Sequence, residues 1–340
     1  MDRITIAVDA MGGDNAPGAV IDGCIRALRA LDDIRIRLFG KKDAIAPMLS
    51  DAKDVADRIE IIHAEEEISM HDEPMMAVRR KKNSSMVMGL LDVRDKNSDA
   101  FVSAGSTGAL FLGGMAYVRL VKGIDRPALA PIMPGYKGPV MLIDSGANAD
   151  CQPKYIMQFG LMGSVYMNQV MGIETPNVGL VNIGIEEEKG NKLYKEAYQL
   201  MKNQTAYHFG GNCEAREIQM GDFNVVAADG FTGNVILKYA EGFAKVLFKT
   251  LKNEIMSTTR GKIGGLMLKG SFSKVKGMLN ADEYGGAPLL GLEGAVVKAH
   301  GSSNGYAFYR AIVQAKTMVQ TDVVGKIRDG LNKIQAQENA

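Results

Sequence analysis

Tryptophan is absent from the 340 residues, and histidine and cysteine are scarce at 4 and 3. Cys24, Cys151 and Cys213 are odd in number, far apart and without metal spacing, so neither a disulfide framework nor a zinc site is expected. Neither sign of charge prevails, with 40 Lys plus Arg against 39 Asp plus Glu and a net charge of +1. No global field therefore favours nucleic acid, and any charged partner surface must be local. No run approaches the roughly 18–20 apolar residues of a membrane-spanning helix. Residues 4–8 already read as a strand, with no charged segment leading into a long apolar one, so no signal peptide is expected and the chain is expected in the cytoplasm. Walker, dinucleotide G-x-G-x-x-G and G-x-S-x-G motifs are all missing.

What is present suits a globular chain with a real core, 46% apolar and 23% charged. The 21 methionines suit core filling or an adaptable apolar surface. Strand-like runs at 4–8, 34–39, 59–63, 100–103, 140–143, 178–183 and 225–227 alternate with helical patterns at 17–31, 74–92, 108–121, 153–170, 191–201 and 234–256. Several strands are apolar on successive residues, which predicts burial on both faces. The alternation predicts a layered α/β fold with a mostly parallel sheet. Residues 134–139 are a candidate domain boundary, and 321–339 read as a polar-faced terminal helix.

Three strand ends open into glycine-rich polar turns. In the first, Asp9, Gly12, Gly13, Asp14 and Asn15 precede Pro17; glycines let backbone N–H groups approach an anion at a helix start, and a tight turn with an Asn cap fits as well. In the second, Ser103, Gly105, Ser106 and Thr107 can form an oxyanion nest or an ordinary N-cap. In the third, Asp144 and Asn148 follow a strand, where ligands of open α/β sheets bind. Further polar clusters follow at Asn182–Lys189, at Asp229–Asn234, and at 284–304, which holds His300 and Asn304.

Together the segments 9–17, 71–74, 103–110, 144–150, 182–191, 229–234 and 284–304 resemble the bacterial phosphate acyltransferases of phospholipid synthesis. The resemblance runs from about residue 4 to about 334, so one domain over 1–335 is expected. It implies an acyl-acyl carrier protein donor, inorganic phosphate as acceptor, and acyl phosphate passed to a membrane-embedded glycerol-3-phosphate acyltransferase. It implies a three-layer α/β/α fold with a large mixed sheet, isocitrate/isopropylmalate dehydrogenase-like, in two intertwined halves and as a homodimer. The stretch 211–217 departs from the family pattern, with Cys213, Ala215 and Glu217 where Ile, Gly and Asp are usual; Cys213 is read as a small packed residue.

A thioester is already activated, so the protein needs only positioning and electrostatics. Direct attack by phosphate is expected, with phosphate on Gly12–Asn15, Ser103–Thr107 and Lys189. Asn148, Asn182 or Asn234 is expected to donate to the thioester oxygen, and His300 or Asp229 to manage a proton. No cofactor is expected; Mg²⁺ on Asp9, Asp14 or Asp144 is compatible with the spacing and not required by it.

Residues 255–280 carry Arg260, Lys262, Lys269, Lys274 and Lys276 and no acidic side chain, interleaved with Leu266, Leu268, Phe272 and other apolar residues. Glycines are expected to break the stretch into two short helices. Such a basic amphipathic hairpin suits an anionic membrane surface or an acidic carrier protein; an ordinary helix with its apolar face in the core is the alternative. The rival functions are a phosphotransacetylase using coenzyme A thioesters, a decarboxylating dehydrogenase of the same fold class, and a non-catalytic scaffold for lipid synthesis.

Overall fold

The computed structural model describes residues 3–278 and 281–338. Its first part runs β1 (Ile4–Asp9), α1 (Gly18–Ala30), β2 (Ile34–Gly40), α2 (Lys42–Ile45), β3 (Ile59–His63), α3 (Pro74–Arg80), α4 (Ser85–Arg94), β4 (Ala100–Ser103) and α5 (Thr107–Gly113). Next come β5 (Ala128–Leu129), β6 (Ile132–Gly135), β7 (Gly138–Ile143), α6 (Pro153–Gln169), β8 (Val178–Asn182), α7 (Lys192–Asn203), β9 (Phe209–Glu214) and β10 (Val225–Ala227). The chain ends on α8 (Gly230–Ser257), α9 (Thr259–Met267), α10 (Lys269–Met278), β11 (Ala287–Leu290), β12 (Ala295–Lys298), α11 (Gly305–Gln320) and α12 (Val323–Glu338).

The strands form a three-layer α/β/α architecture on two mixed sheets, ordered β3-β2-β1-β4-β12-β11-β5 and β6-β7-β10-β8-β9. Residues 128–135 join them, since Ala130 N–H donates to Pro288 O in one sheet and Leu142 N–H to Pro131 O in the other. The expected large mixed sheet is thus divided at this seam. All residues of β4 and β8 are buried, as continuous apolar runs under two helical layers should be. On α1, Val20, Ile21, Cys24, Ala27 and Leu28 form one buried stripe at helical spacing. The terminal helix also buries a stripe, Val323, Ile327, Leu331 and Ile334.

Several boundaries differ from the sequence expectation. The single helix over 74–92 is two, because the Ser84 hydroxyl caps a new start at Val87 N–H. Residues 134–139 are no boundary: Gly135 pairs with Gly138 in a tight hairpin between β6 and β7. The 255–280 segment does form two helices, but Gly264, Gly265 and Gly270 lie inside them; the breaks fall at Thr258, which caps Gly261 N–H, and at Leu268. The side chains of Lys274 and Lys276 lie outside the described residues.

Candidate active site

A cleft of about 600 Å³ lies just past the carboxyl ends of β1, β4, β7, β10 and β12. Asp14, Thr107, Ser145, Gly146, Asn234, Lys298, His300 and Ser303 line its polar part. Leu129, Pro131, Ile132, Met133 and Pro134 face Leu237, Ala240 and Ala244 of α8 along its apolar part. The strand-end position is where an open α/β sheet offers a crevice. Here two sheets contribute to one crevice, β1, β4 and β12 being mutually parallel in one and β7 and β10 in the other.

The walls are fixed by carboxylates that fold back on their own loops. Asp9, buried, accepts Ser85 Oγ at 2.6 Å and Met11 N–H at 3.2 Å on one oxygen and Ser103 Oγ at 2.7 Å on the other. Burial pushes its pKa up, against the pull of those donors. Gly12 has no room for a side chain, as a Cβ there would stand 2.7 Å from Gly105 N. Asp144 accepts Leu129 and Ala147 N–H on Oδ1 and both the N–H and Nδ2 of Asn148 on Oδ2. Asp229 caps α8 through Thr232 N–H at 2.9 Å and accepts Thr232 Oγ1 and the Tyr194 hydroxyl.

Hydrogen-bond capacity therefore separates the sequence candidates. The Gly12–Asn15 turn spends donors inward: Met11 N–H goes to Asp9, Asp14 N–H to Gly301 O at 2.8 Å, and Asn15 Nδ2 to Ser302 O and Ser303 O. Gly13, at φ +106, makes the turn, and a Cβ there would stand 2.9 Å from the Cβ of Ala104. Ser103 is likewise occupied, donating to Asp9 and accepting Gly105 N–H, and Ser106 caps Ala109 N–H. Thr107 of the same loop lines the cleft and has no side-chain hydrogen bond among the described residues. Asn148 Nδ2 is spent on Pro127 O and Asp144, Asn182 Nδ2 on Lys189 O and Asn212, and Asn304 caps Ala307 N–H. Asn234 is the remaining amide of the three proposed for the thioester oxygen; it is exposed in the cleft with no hydrogen bond among the described residues. Asp229, filled on both oxygens, is placed as a cap rather than a proton shuttle. Lys189 sits on the loop after β8, 4.0 Å from Glu186, and does not line the cleft. His300 lines it, and its Nδ1 accepts Ser302 N–H at 3.2 Å, which puts the proton of the neutral ring on Nε2.

Two residues missed by the sequence reading are central. Lys298 ends β12 and is buried, its ammonium donating to Ala104 O at 3.2 Å and to Ala299 O. Burial pulls its pKa down to about 8, although Asp9 and Asp14 favour the charged form. Ser303 is also buried and lines the same cleft, with a hydroxyl that has no partner.

The family called "Fatty acid synthesis protein" matches residues 4–326 of this chain. A protein of Clostridium tetani named "Phosphate acyltransferase" is 50% identical over 330 residues, covering 97% of this chain and 98% of its own length. One of the same name from Alkaliphilus oremlandii is 48% identical over 333 residues, covering 98% and 99%. The chain belongs to the phosphate acyltransferase family. Solved structures of phosphotransacetylases share the fold of this chain. The Staphylococcus aureus protein superposes with TM-score 0.60 at 15% identity, and the Streptococcus pyogenes protein with 0.61 at 15%, each over 94% of both chains. A lysine closing the otherwise apolar strand Ala295–Lys298 was the sequence signal for this site.

Proposed function

We propose that this protein reversibly transfers a long-chain fatty acyl group from acyl carrier protein to inorganic phosphate, making acyl phosphate for phospholipid synthesis. One observation carries the reading: a single cleft joins unspent polar donors to an apolar groove, as a reaction at one end of a lipid chain requires. The names of the relatives support an acyltransferase that acts with phosphate.

In this reading the thioester carbonyl lies near Asn234, whose Nδ2 donates to the oxygen as it becomes an oxyanion. An oxygen of monohydrogen phosphate attacks the carbonyl carbon; the C–O bond forms, the C–S bond breaks, and the proton carried by phosphate ends on the departing thiol. Acyl phosphate and free carrier thiol are the products. His300 Nε2–H is a donor for the leaving sulfur. Asp9 and Asp144 are saturated with protein donors, so no step here relies on a metal held by them.

Among the described residues no helix is long and apolar enough to cross a membrane. We assign peripheral attachment at the inner face of the cell membrane to the arm α8–α10. Of the 28 residues of α8 only Gly230 and Gly233 are buried. Leu266, Met267 and Leu268 stand exposed at 73%, 82% and 52%, among exposed Arg260, Lys262 and Lys269. Delivery to a membrane-embedded glycerol-3-phosphate acyltransferase, docking of the acidic carrier and a homodimer complete the proposal. Leu268→Glu with Phe272→Glu is expected to release the folded protein from anionic liposomes; unchanged binding refutes the attachment. The function is tested with palmitoyl-acyl carrier protein, palmitoyl-coenzyme A and phosphate, following free thiol and acyl phosphate by mass spectrometry. Phosphate-dependent product from the carrier thioester is expected. Turnover on coenzyme A thioesters alone overturns the choice of donor, and no product from either overturns the function.

A further inference from the structure

We infer that the acceptor phosphate is bound by the Lys298 ammonium and the Ser303 hydroxyl, at the mouth of α11, rather than by the loop after β1. The inference rests on the proposed acyl transfer and assigns one of its substrates to named groups.

A lysine ammonium has three donors. Lys298 uses two on the carbonyls of Ala104 and Ala299, and the third has no protein partner among the described residues. Ser303 Oγ is buried with neither donor nor acceptor. A buried hydroxyl left unpaired costs stability unless a ligand or solvent completes it. Both groups line the polar end of the same cleft, one on each side of His300 and Gly301. The 16-residue helix α11 begins at Gly305, after its N-cap Asn304 and so two residues past Ser303, and turns Ala307 of its first turn to the cleft, which adds the positive end of its dipole. In the loop after β1, Met11 N–H serves Asp9 and Asp14 N–H serves Gly301, and no side-chain cation is present.

A purely structural explanation makes Lys298 the counter-ion of Asp9 and nothing more. It gives Ser303 no part, and it predicts loss of stability without a selective effect on phosphate. The two explanations separate in steady-state kinetics of the full chain, with phosphate varied at saturating palmitoyl-acyl carrier protein and then the donor varied at saturating phosphate. Lys298→Met is expected to raise the KM for phosphate about 30-fold, as loss of a charge-assisted hydrogen bond should. The donor KM should stay near the wild-type value. Ser303→Ala is expected to raise the phosphate KM about 5-fold at an unchanged unfolding temperature, because its hydroxyl makes no protein bond to lose. Calorimetric binding of inorganic phosphate alone should weaken in parallel. A phosphate KM that stays at the wild-type value in Ser303→Ala and Lys298→Met overturns the inference, whatever happens to kcat. Should Lys298→Met fail to fold, an unchanged phosphate KM in Ser303→Ala overturns it alone. Wild-type enzyme that forms no acyl phosphate overturns the underlying function instead, so the two failures are distinct.

Discussion

Ala240→Phe tests whether the apolar half of the cleft measures the acyl chain. Asn234, Leu237, Ala240, Glu241 and Ala244 recur at three- and four-residue steps, so one face of α8 runs the length of the cleft. Along that helix Ala240 lies about 9 Å and Ala244 about 15 Å beyond Asn234. An extended chain advances about 1.2 Å per bond. With the carbonyl held near Asn234, about the eighth carbon comes opposite Ala240 and about the thirteenth opposite Ala244. Ala240 is half-buried and small, facing Ile132 and its neighbours across the groove. A phenyl ring there closes off at least the next four or so methylenes from the apolar walls. At about 0.8 kcal/mol each, a palmitoyl chain loses about 3 kcal/mol of binding realised in the transition state, or about 200-fold in kcat/KM. A hexanoyl chain ends about two carbons short of the obstruction and should keep its rate. The assay is a competition between palmitoyl and hexanoyl donors, read by mass spectrometry of the acyl phosphates, with a thermal melt as control for folding. Equal losses on both chains, or an undiminished palmitoyl rate in folded protein, refute the assignment of the groove.

Three further outcomes follow from the same geometry. Asp144→Asn sets an amide NH₂ against the two donors of Asn148, and loss of two bonds to a charged group should cost about 4 kcal/mol and lower the melting temperature by about 5 °C; an unshifted melt contradicts the bonding described. Lys298 has a folded pKa of about 8 against an ordinary 10.5, so the unfolded chain binds more protons between those values and the lysine's contribution to stability improves as pH rises through that window. The stability gap between wild type and Lys298→Met in urea melts should therefore shift in favour of wild type from pH 8 to 10.5, and a gap moving the other way refutes the assigned burial. Burial pushes the thiols of Cys151 and Cys213 up to about 12 and that of Cys24 upward too, so none is a thiolate near neutrality. Iodoacetamide should then leave activity intact, whereas an acyl-cysteine trapped by quenching would disprove direct attack.

What could be read from the residues follows from burial on both faces. Strands 100–103 and 178–182 are covered on each side, so their apolar character is continuous and visible without a structure. β9 was invisible because Phe209-Gly210-Gly211-Asn212 carries no period; only its pairing with β8 makes it a strand. β11 and β12 were hidden for a related reason, as glycine-rich turns surround two four-residue segments. The loops of the site were found at their correct strand ends. Their internal hydrogen bonding was not legible, because the same Asp–Gly–Asn composition serves an open nest and a loop closed on its own carboxylate, and side-chain direction decides between them. Asn148 and Asn234 look alike in sequence. One is locked between Pro127 and Asp144 and the other is open to the cleft.

Unspent hydrogen-bond capacity is thus a sharper marker of the reacting centre than residue type. Asp9, Asp144 and Asp229 each consume the polar groups around them, and in doing so make three loops rigid. Among the groups of the described residues still uncommitted around the cleft are the amide of Asn234, one donor of Lys298 and the hydroxyl of Ser303. These are a neutral donor suited to a carbonyl and a cation with a hydroxyl suited to an anion. A transfer between two preactivated partners needs those two subsites and a firm distance between them. The buried carboxylates supply the firmness, since a donor satisfied within the wall does not reorganise as charge moves from phosphate to sulfur. The wall also explains why Lys298 is buried so close to Asp9: its charge offsets a carboxylate that would otherwise repel the incoming phosphate, and it leaves one N–H to face it.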